Sequence, residues 1–318
     1  MSMKQISAET IMSGPARPVR SITTPRKPSV LSRLHGPLLV APAVLFLLVL
    51  FVLPIAQMVG YSVTGHIRQG VFVSGLTLEN YARLLSTDLY WRVVVRTLRI
   101  ALVTSLISIP IAYPLAIVLA SGKAFWSRFI MFVVISPLLV LVVVRAYGWK
   151  LILSKQGFLS WVVQNLGLSD APTALLYTEW AVIIASVHVF MPFLVLPLAS
   201  SLGKIDPSVE EAARTLGADS RIVFWRIMIP LSVPGLAVGI TLVFSLTAAS
   251  YVTPQLLGGN FSAMLGVLVQ QQILSVNDWP FGAALATLLL AITLIANLVF
   301  LRAIERRSRH WTRQGGEK

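Results

Sequence analysis

The densest run of residues able to do chemistry lies between Lys204 and Pro230. Asp206 is a helix N-cap candidate and Pro207 suits the first helical position. Glu210 and Glu211 fall in the first turns, where the helix dipole favours anions. Ala212, Ala213, Arg214 and Leu216 propagate a helix, and Gly217 is a natural C-terminal stop. The spacing predicts a capped, charged helix of about two and a half turns. Its chemistry is that of docking, with side chains presented outward. After it, Phe224, Trp225 and Ile229 are expected at a bilayer interface, with Arg221 and Arg226 toward headgroups.

The sequence offers little else for catalysis. There is no cysteine, so no thiolate ligand or cysteine nucleophile. His35, His66, His188 and His310 are scattered, and no His/Cys/Asp/Glu group has metal-ligand spacing. No Gly-x-x-x-x-Gly-Lys-[Ser/Thr] occurs, so no phosphate-binding loop is expected. The chain reads as a non-enzyme that binds no cofactor or metal itself.

The elements that must position this helix are apolar. Of the 318 residues 56% are hydrophobic and 12% charged, with a mean hydropathy of +0.80. A soluble domain carries about 25% charged residues. The net charge of +14 raises nucleic-acid binding, but its distribution argues against it. Basic residues cluster at the two ends, Lys4 to Arg33 and Arg302 to Lys318, flanking apolar spans. The first apolar run is uncharged from Pro37 to Gly65, too long for a signal-peptide core of about 7–15 residues.

Six segments reach the roughly 20 apolar residues that a crossing needs. They are Pro37–Tyr61, Ile100–Ser121 (with a start near Arg92 also open), Trp126–Trp149, Trp180–Leu202, Leu231–Leu256 and Trp279–Leu301. Gly258–Asn277, with Gln270 to Gln272, reads as an external loop holding a short helix. Six crossings put both basic tails on one side, the cytoplasm. Inside then holds 18 of the 26 basic residues and outside 8. The expected organisation is a disordered basic tail over 1–35, a six-helix transmembrane domain over 36–303 with the docking loop at 204–230, and a basic cytoplasmic tail over 304–318. The fold class is all-α membrane protein.

Glu211-Ala212-Ala213, then Gly217, Ile227 and Pro230 resemble the EAA loop of binding-protein-dependent ABC permeases. The resemblance runs over roughly Pro37 to Leu301. Leu76-Thr-Leu-Glu-Asn-Tyr81, Arg145-Ala-Tyr-Gly-Trp149, Tyr251-Val-Thr-Pro-Gln-Leu-Leu-Gly-Gly259 and Asp278-Trp-Pro-Phe-Gly-Ala-Ala284 are similar to the spermidine/putrescine-type subgroup. It implies a type I importer permease fold in a bacterial inner membrane. Glu210, Glu211, Ala212, Ala213, Arg214 and Gly217 would dock on a separate ATPase, which carries ATP and Mg. Two ATPase copies, a second homologous permease that differs from this one, a periplasmic binding protein and the lipid bilayer are the implied partners. The implied solute is small and polar: a polyamine, opine, amino acid, quaternary amine or aminophosphonate.

Pathway candidates are Arg99, Arg145, Tyr147, Trp149, Ser250, Tyr251 and Thr253. No acidic residue is expected at mid-depth in any span. That departs from a literal polyamine reading, and Ser250 stands where some relatives carry an acid. Ser245, Thr247 and the Gly235/Gly239 pair read equally as close helix contacts. Arg92, Arg96 and Arg99 share one helix face. Their partner is read as Glu79, Asp88, a second permease, an acidic binding-protein face or an anionic solute group. The rival functions are an ion-coupled secondary transporter, which would need coupling-ion ligands or inverted repeats, and a non-transporting scaffold.

Overall fold

A computed structural model describes the backbone of residues 30–65, 67–68, 71–72, 75–122, 124–167, 171, 175–259 and 263–314. Most of the expected N-terminal tail, residues 1–29, lies outside the described residues. The chain divides by internal packing into residues 1–54 and 55–318. The described part of the first unit is the leading portion of one helix, α1 (Val30–Ser62), which therefore starts inside the segment expected as a tail. Its stretch Ala41–Ser62 is long and apolar enough to span.

The second unit continues through a small hairpin, β1 (Ile67–Arg68) and β2 (Val71–Phe72). It then carries α2 (Glu79–Ser86), α3 (Asp88–Ala120), α4 (Ala124–Leu139), α5 (Val142–Leu153) and α6 (Phe158–Asn165). After these come α7 (Glu179–Leu202), α8 (Pro207–Thr215), α9 (Ser220–Val223), α10 (Ile229–Ala249), α11 (Leu265–Leu274) and α12 (Trp279–Gln314). Among the described residues five helical spans are long and apolar enough to cross a membrane, and α4 with α5–α6 makes a sixth if the bent pair is one crossing. Among the described residues the architecture is all-α apart from the hairpin. The short helix expected in 258–277 is α11, and its ten residues are about 15 Å long, half a bilayer core.

Three long helices, α3, α7 and α10, pack together as the core. Ile100, Ala112 and Ala116 of α3, Leu194, Val195 and Leu198 of α7, and Val243 of α10 are all buried in one cluster. Small residues set the spacing. A Cβ added at Gly239 would lie 2.4 Å from Leu194 Cδ1, and one at Gly235 would lie 2.5 Å from the Pro197 carbonyl oxygen. The GxxxG pair is thus a close-contact seam between α10 and α7. A second cluster joins Leu84, Tyr90, Val93 and Val94 to Leu265, Phe281 and Leu285. There the Leu265 N–H donates to Thr97 Oγ1 at 2.9 Å.

Three boundaries differ from the sequence expectation. The helix of the second span starts at Asp88, ahead of both expected starts, because Tyr90, Val93 and Val94 pack outward of Ile100 and carry the helix on. The third is not straight: α4 stops at Leu139 and the chain turns by 104°. Pro137 lies at that stop, and the Arg145 guanidinium folds back to donate to the Pro137 carbonyl. A carbonyl freed inside a bilayer must find a donor, and this one does. The fifth span starts before Leu231 and ends before Leu256. It runs without a break from Ser220 to Ala249 and then opens at Ser250 and Tyr251.

Candidate coupling site

The docking segment folds as its residues require. Asp206 has extended backbone angles, and its carboxylate accepts from the Ser208 N–H at 2.9 Å. That bond holds the Asp206 carboxyl below its ordinary value of 3.8. Pro207 takes the first helical position. One turn later Arg214 donates to Glu210 through Nε at 3.1 Å and NH2 at 2.8 Å. At the far end Gly217 adopts φ of +84°, and the Ala218 N–H reaches back to the Ala213 carbonyl at 3.0 Å. This left-handed stop needs glycine. No residue of α8 is buried, and Leu216 beside it is 88% exposed. The helix is therefore braced by its own caps and ion pair, with its surface free.

Beyond Gly217, Asp219 caps α9, and a π-helical turn at Phe224–Met228 leads without interruption into α10. Here the expectation of a separate interfacial stretch needs correcting. Trp225 is exposed, as are Arg221 and Arg226, but Phe224 and Ile229 turn inward onto the core. The Phe224 ring meets Tyr113 of α3 edge-on at 5.7 Å. The Tyr113 hydroxyl also lies 2.9 Å from Ser232 Oγ, which itself donates to the Ile229 carbonyl at 3.0 Å. The π turn rotates two residues of an otherwise amphipathic face inward, which periodicity at 3.6 residues does not foresee.

The pathway candidates fall into two groups on neighbouring elements. Arg145, Tyr147 and Trp149 lie on α5 beside the bend. Arg145 is half-buried against Pro137, Tyr147 is exposed with Lys150 Nζ 5.7 Å from its ring, and the half-buried Trp149 donates to His188 Nδ1 of α7 at 3.4 Å. Ser250, Tyr251 and Thr253 lie at the opening after α10. Ser250 is half-buried, Tyr251 is exposed and Thr253 is buried. The following π-helical turn, Pro254–Gly258, packs against both α5 and α7, and the Tyr177 N–H bonds the Leu257 carbonyl at 2.8 Å. Arg99 stands apart, at the other end of α3 from Tyr113. Its NH2 lies 2.5 Å from Glu179 Oε1, and Arg96 Nε lies 3.2 Å from the same oxygen.

Residues 30–310 match the family described as the binding-protein-dependent transport system inner membrane component. The chain belongs to this family. It is 37% identical over 257 residues to the spermidine/putrescine transport system permease protein PotB of Escherichia coli, covering 80% of this chain and 93% of the relative. It is 31% identical over 263 residues to the same-named protein of Haemophilus influenzae, covering 82% and 92%. A bacterial alginate ABC transporter, solved with its pentasaccharide-bound periplasmic protein, shares the fold at a TM-score of 0.66 and 15% identity, over 88% of this chain and 98% of that one.

This permease is therefore a transport subunit of a binding-protein-dependent ABC importer, not an enzyme, and sits as a multi-pass protein in the inner membrane. It works with a separate ATPase and a periplasmic binding protein. Several residues carry no signal in the sequence. Glu179, the partner of Arg96 and Arg99, lies 80 residues from Arg99. The pairings of Tyr113 with Ser232 and of His188 with Trp149 are each a contact between spans, with no local signal. Among the described residues no His/Cys/Asp/Glu group could hold a metal ion.

Proposed function

We propose that this permease forms half of the translocation path of an ATP-driven importer, and that α8 is its coupling helix. The observation that carries this is the construction of α8: capped at both ends, internally ion-paired, with no buried residue, and followed past the Gly217 stop by α9 and a π-helical turn that run unbroken into α10. A helix built this way transmits a push instead of absorbing it. Glu210, Glu211, Ala212, Ala213, Arg214 and Gly217 would meet the ATPase. ATP and Mg would be held by two ATPase copies, and a second, homologous permease would complete the path. With α8 on the ATPase side, six crossings put both termini in the cytoplasm, which the basic tails support. Residues 36–303 would then form the membrane domain and 304–318 a cytoplasmic extension.

Closure of the ATPase pair would move α8, then the Phe224–Met228 turn and α10, and through Ser232 and Phe224 the Tyr113 region of α3. Arg145, Tyr147, Trp149, Ser250, Tyr251 and Thr253 would border the path, where a helix opening and a bend expose polar groups. The solute would be small and polar. The names of the relatives favour a polyamine among the classes above. Glu211→Lys and Gly217→Asp test the coupling role. Both should uncouple ATP hydrolysis from uptake with membrane insertion intact, and normal uptake by both would sink the assignment.

A further inference from the structure

The end of α3 remote from α8 carries a groove that lies outside the path proposed above. Trp91, Arg92, Val95, Arg96 and Arg99 line an open groove of about 350 Å³. Two of its three guanidiniums meet one carboxylate: Glu179 takes Arg96 and Arg99, and Arg92 has no ion pair among the described residues. The groove keeps an excess of positive charge, and the Arg99 side chain remains 60% exposed.

Depth decides what such a groove meets. From Ile100 to Ala120 α3 is uncharged over 21 residues. That length is about 31 Å, and the hydrocarbon core is about 30 Å thick. Arg99 is thereby set at the edge of the core, with Arg96 and Arg92 roughly 4 and 10 Å further out. This is the layer of lipid phosphates. The end in question is the one remote from α8, because Glu179 begins α7 and the loop to α8 follows Leu202.

The same helix face continues inward as apolar surface. Leu102 and Leu106 are 39% and 54% exposed, and from Arg99 they follow at intervals of three and four residues. A cationic head cradle thus opens directly onto an apolar strip. Trp91, 45% exposed, adds an indole of the kind that favours the interface.

We propose that this groove binds an anionic phospholipid of the leaflet opposite α8, its phosphate on Arg92 and Arg99 and an acyl chain along Leu102 and Leu106. Calling that leaflet the outer one rests on the orientation proposed above. The lipid site itself does not, so a failed orientation would leave it standing.

The test uses the assembled, delipidated importer in detergent. Phosphatidylglycerol should raise its Tm more than phosphatidylcholine does, since a ligand that binds the folded state stabilises it. The Arg92→Gln/Arg99→Gln double variant should lose that difference and keep the phosphatidylcholine response. Arg92→Lys/Arg99→Lys should restore part of it, and soluble glycerol 3-phosphate should give no shift. Equal stabilisation by both lipids in the wild type would overturn the proposal, as would a double variant that keeps the full phosphatidylglycerol effect. An equal shift with glycerol 3-phosphate would overturn the lipid assignment. If the double variant instead raises the binding-protein concentration needed to stimulate ATPase activity, with the lipid shift unchanged, the groove is a protein-docking surface and the proposal fails.

Discussion

The Tyr113 hydroxyl lies 2.9 Å from Ser232 Oγ, tying the inner half of α3 to the first turn of α10. Ser232 already donates to the Ile229 carbonyl, so Tyr113 is the donor in this pair. The bond sits immediately beyond the π turn, where motion of α8 would enter the bundle. Tyr113→Phe should keep the edge contact with Phe224 and cost about 0.5–1.5 kcal/mol, the usual worth of one hydrogen bond. The assembled complex should show a slightly lower Tm and move less solute per ATP hydrolysed. A lower Tm with an unchanged transport ratio would make the bond structural only.

The α7–α10 seam should be intolerant of added bulk. Gly235→Ala brings a Cβ to 2.5 Å from both the Pro197 carbonyl oxygen and Ser201 Cβ, and Gly239→Ala brings one to 2.9 Å from Leu194 Cα. Overpacking of this kind costs about 1–3 kcal/mol. Yield of monodisperse complex should fall for both. Gly148→Ala is the control, since nothing lies within 4 Å of its added Cβ.

Arg96 and Arg99 pair with Glu179 beside an open groove on α3, apart from the residues proposed to border the path. Replacing both with glutamine should leave the solute KM for uptake unchanged. The stability loss should be within about 1 kcal/mol, as for partly exposed ion pairs. A solute KM raised several-fold with assembly intact would put this pair back in the pathway.

The cap on α8 carries a pH signature. The Asp206 carboxyl is held below its ordinary 3.8 by the Ser208 N–H. A depressed carboxyl supports the fold fully above the unfolded value and loses that support as pH falls through its lowered value. The protection factor of the Ser208 amide, taken against its intrinsic exchange rate at each pH, should therefore fall on acidification below the ordinary value. Asp206→Asn, which keeps an acceptor oxygen, should remove the pH dependence and keep the protection.

Much of this was legible before any coordinates. Asp206, Pro207 and Gly217 announced the bounds of α8 because caps and stops are written in local residue types. The spans were legible because a bilayer demands long apolar runs. The bend after Leu139 was not, since Val140 and Leu141 are as apolar as their neighbours and the donor that stabilises the turn, Arg145, comes from beyond it. Nor was the partner of Arg96 and Arg99. Ion pairs between spans depend on how the helices pack, and Glu79 and Asp88 looked nearer only along the chain. The inward turn of Phe224 and Ile229 needed the π turn, one extra residue that shifts a helical face.

The central claim is that α8 docks on the ATPase, and the absence of cysteine makes it directly testable. Leu216→Cys places a unique thiol on the exposed end of the helix, at a side chain 88% exposed. In the assembled importer a short thiol-to-amine cross-linker should join this thiol to the ATPase subunit, and membrane-impermeant maleimide applied to intact cells should not label it. Labelling from outside, or no ATPase adduct in an assembled complex, would contradict the account.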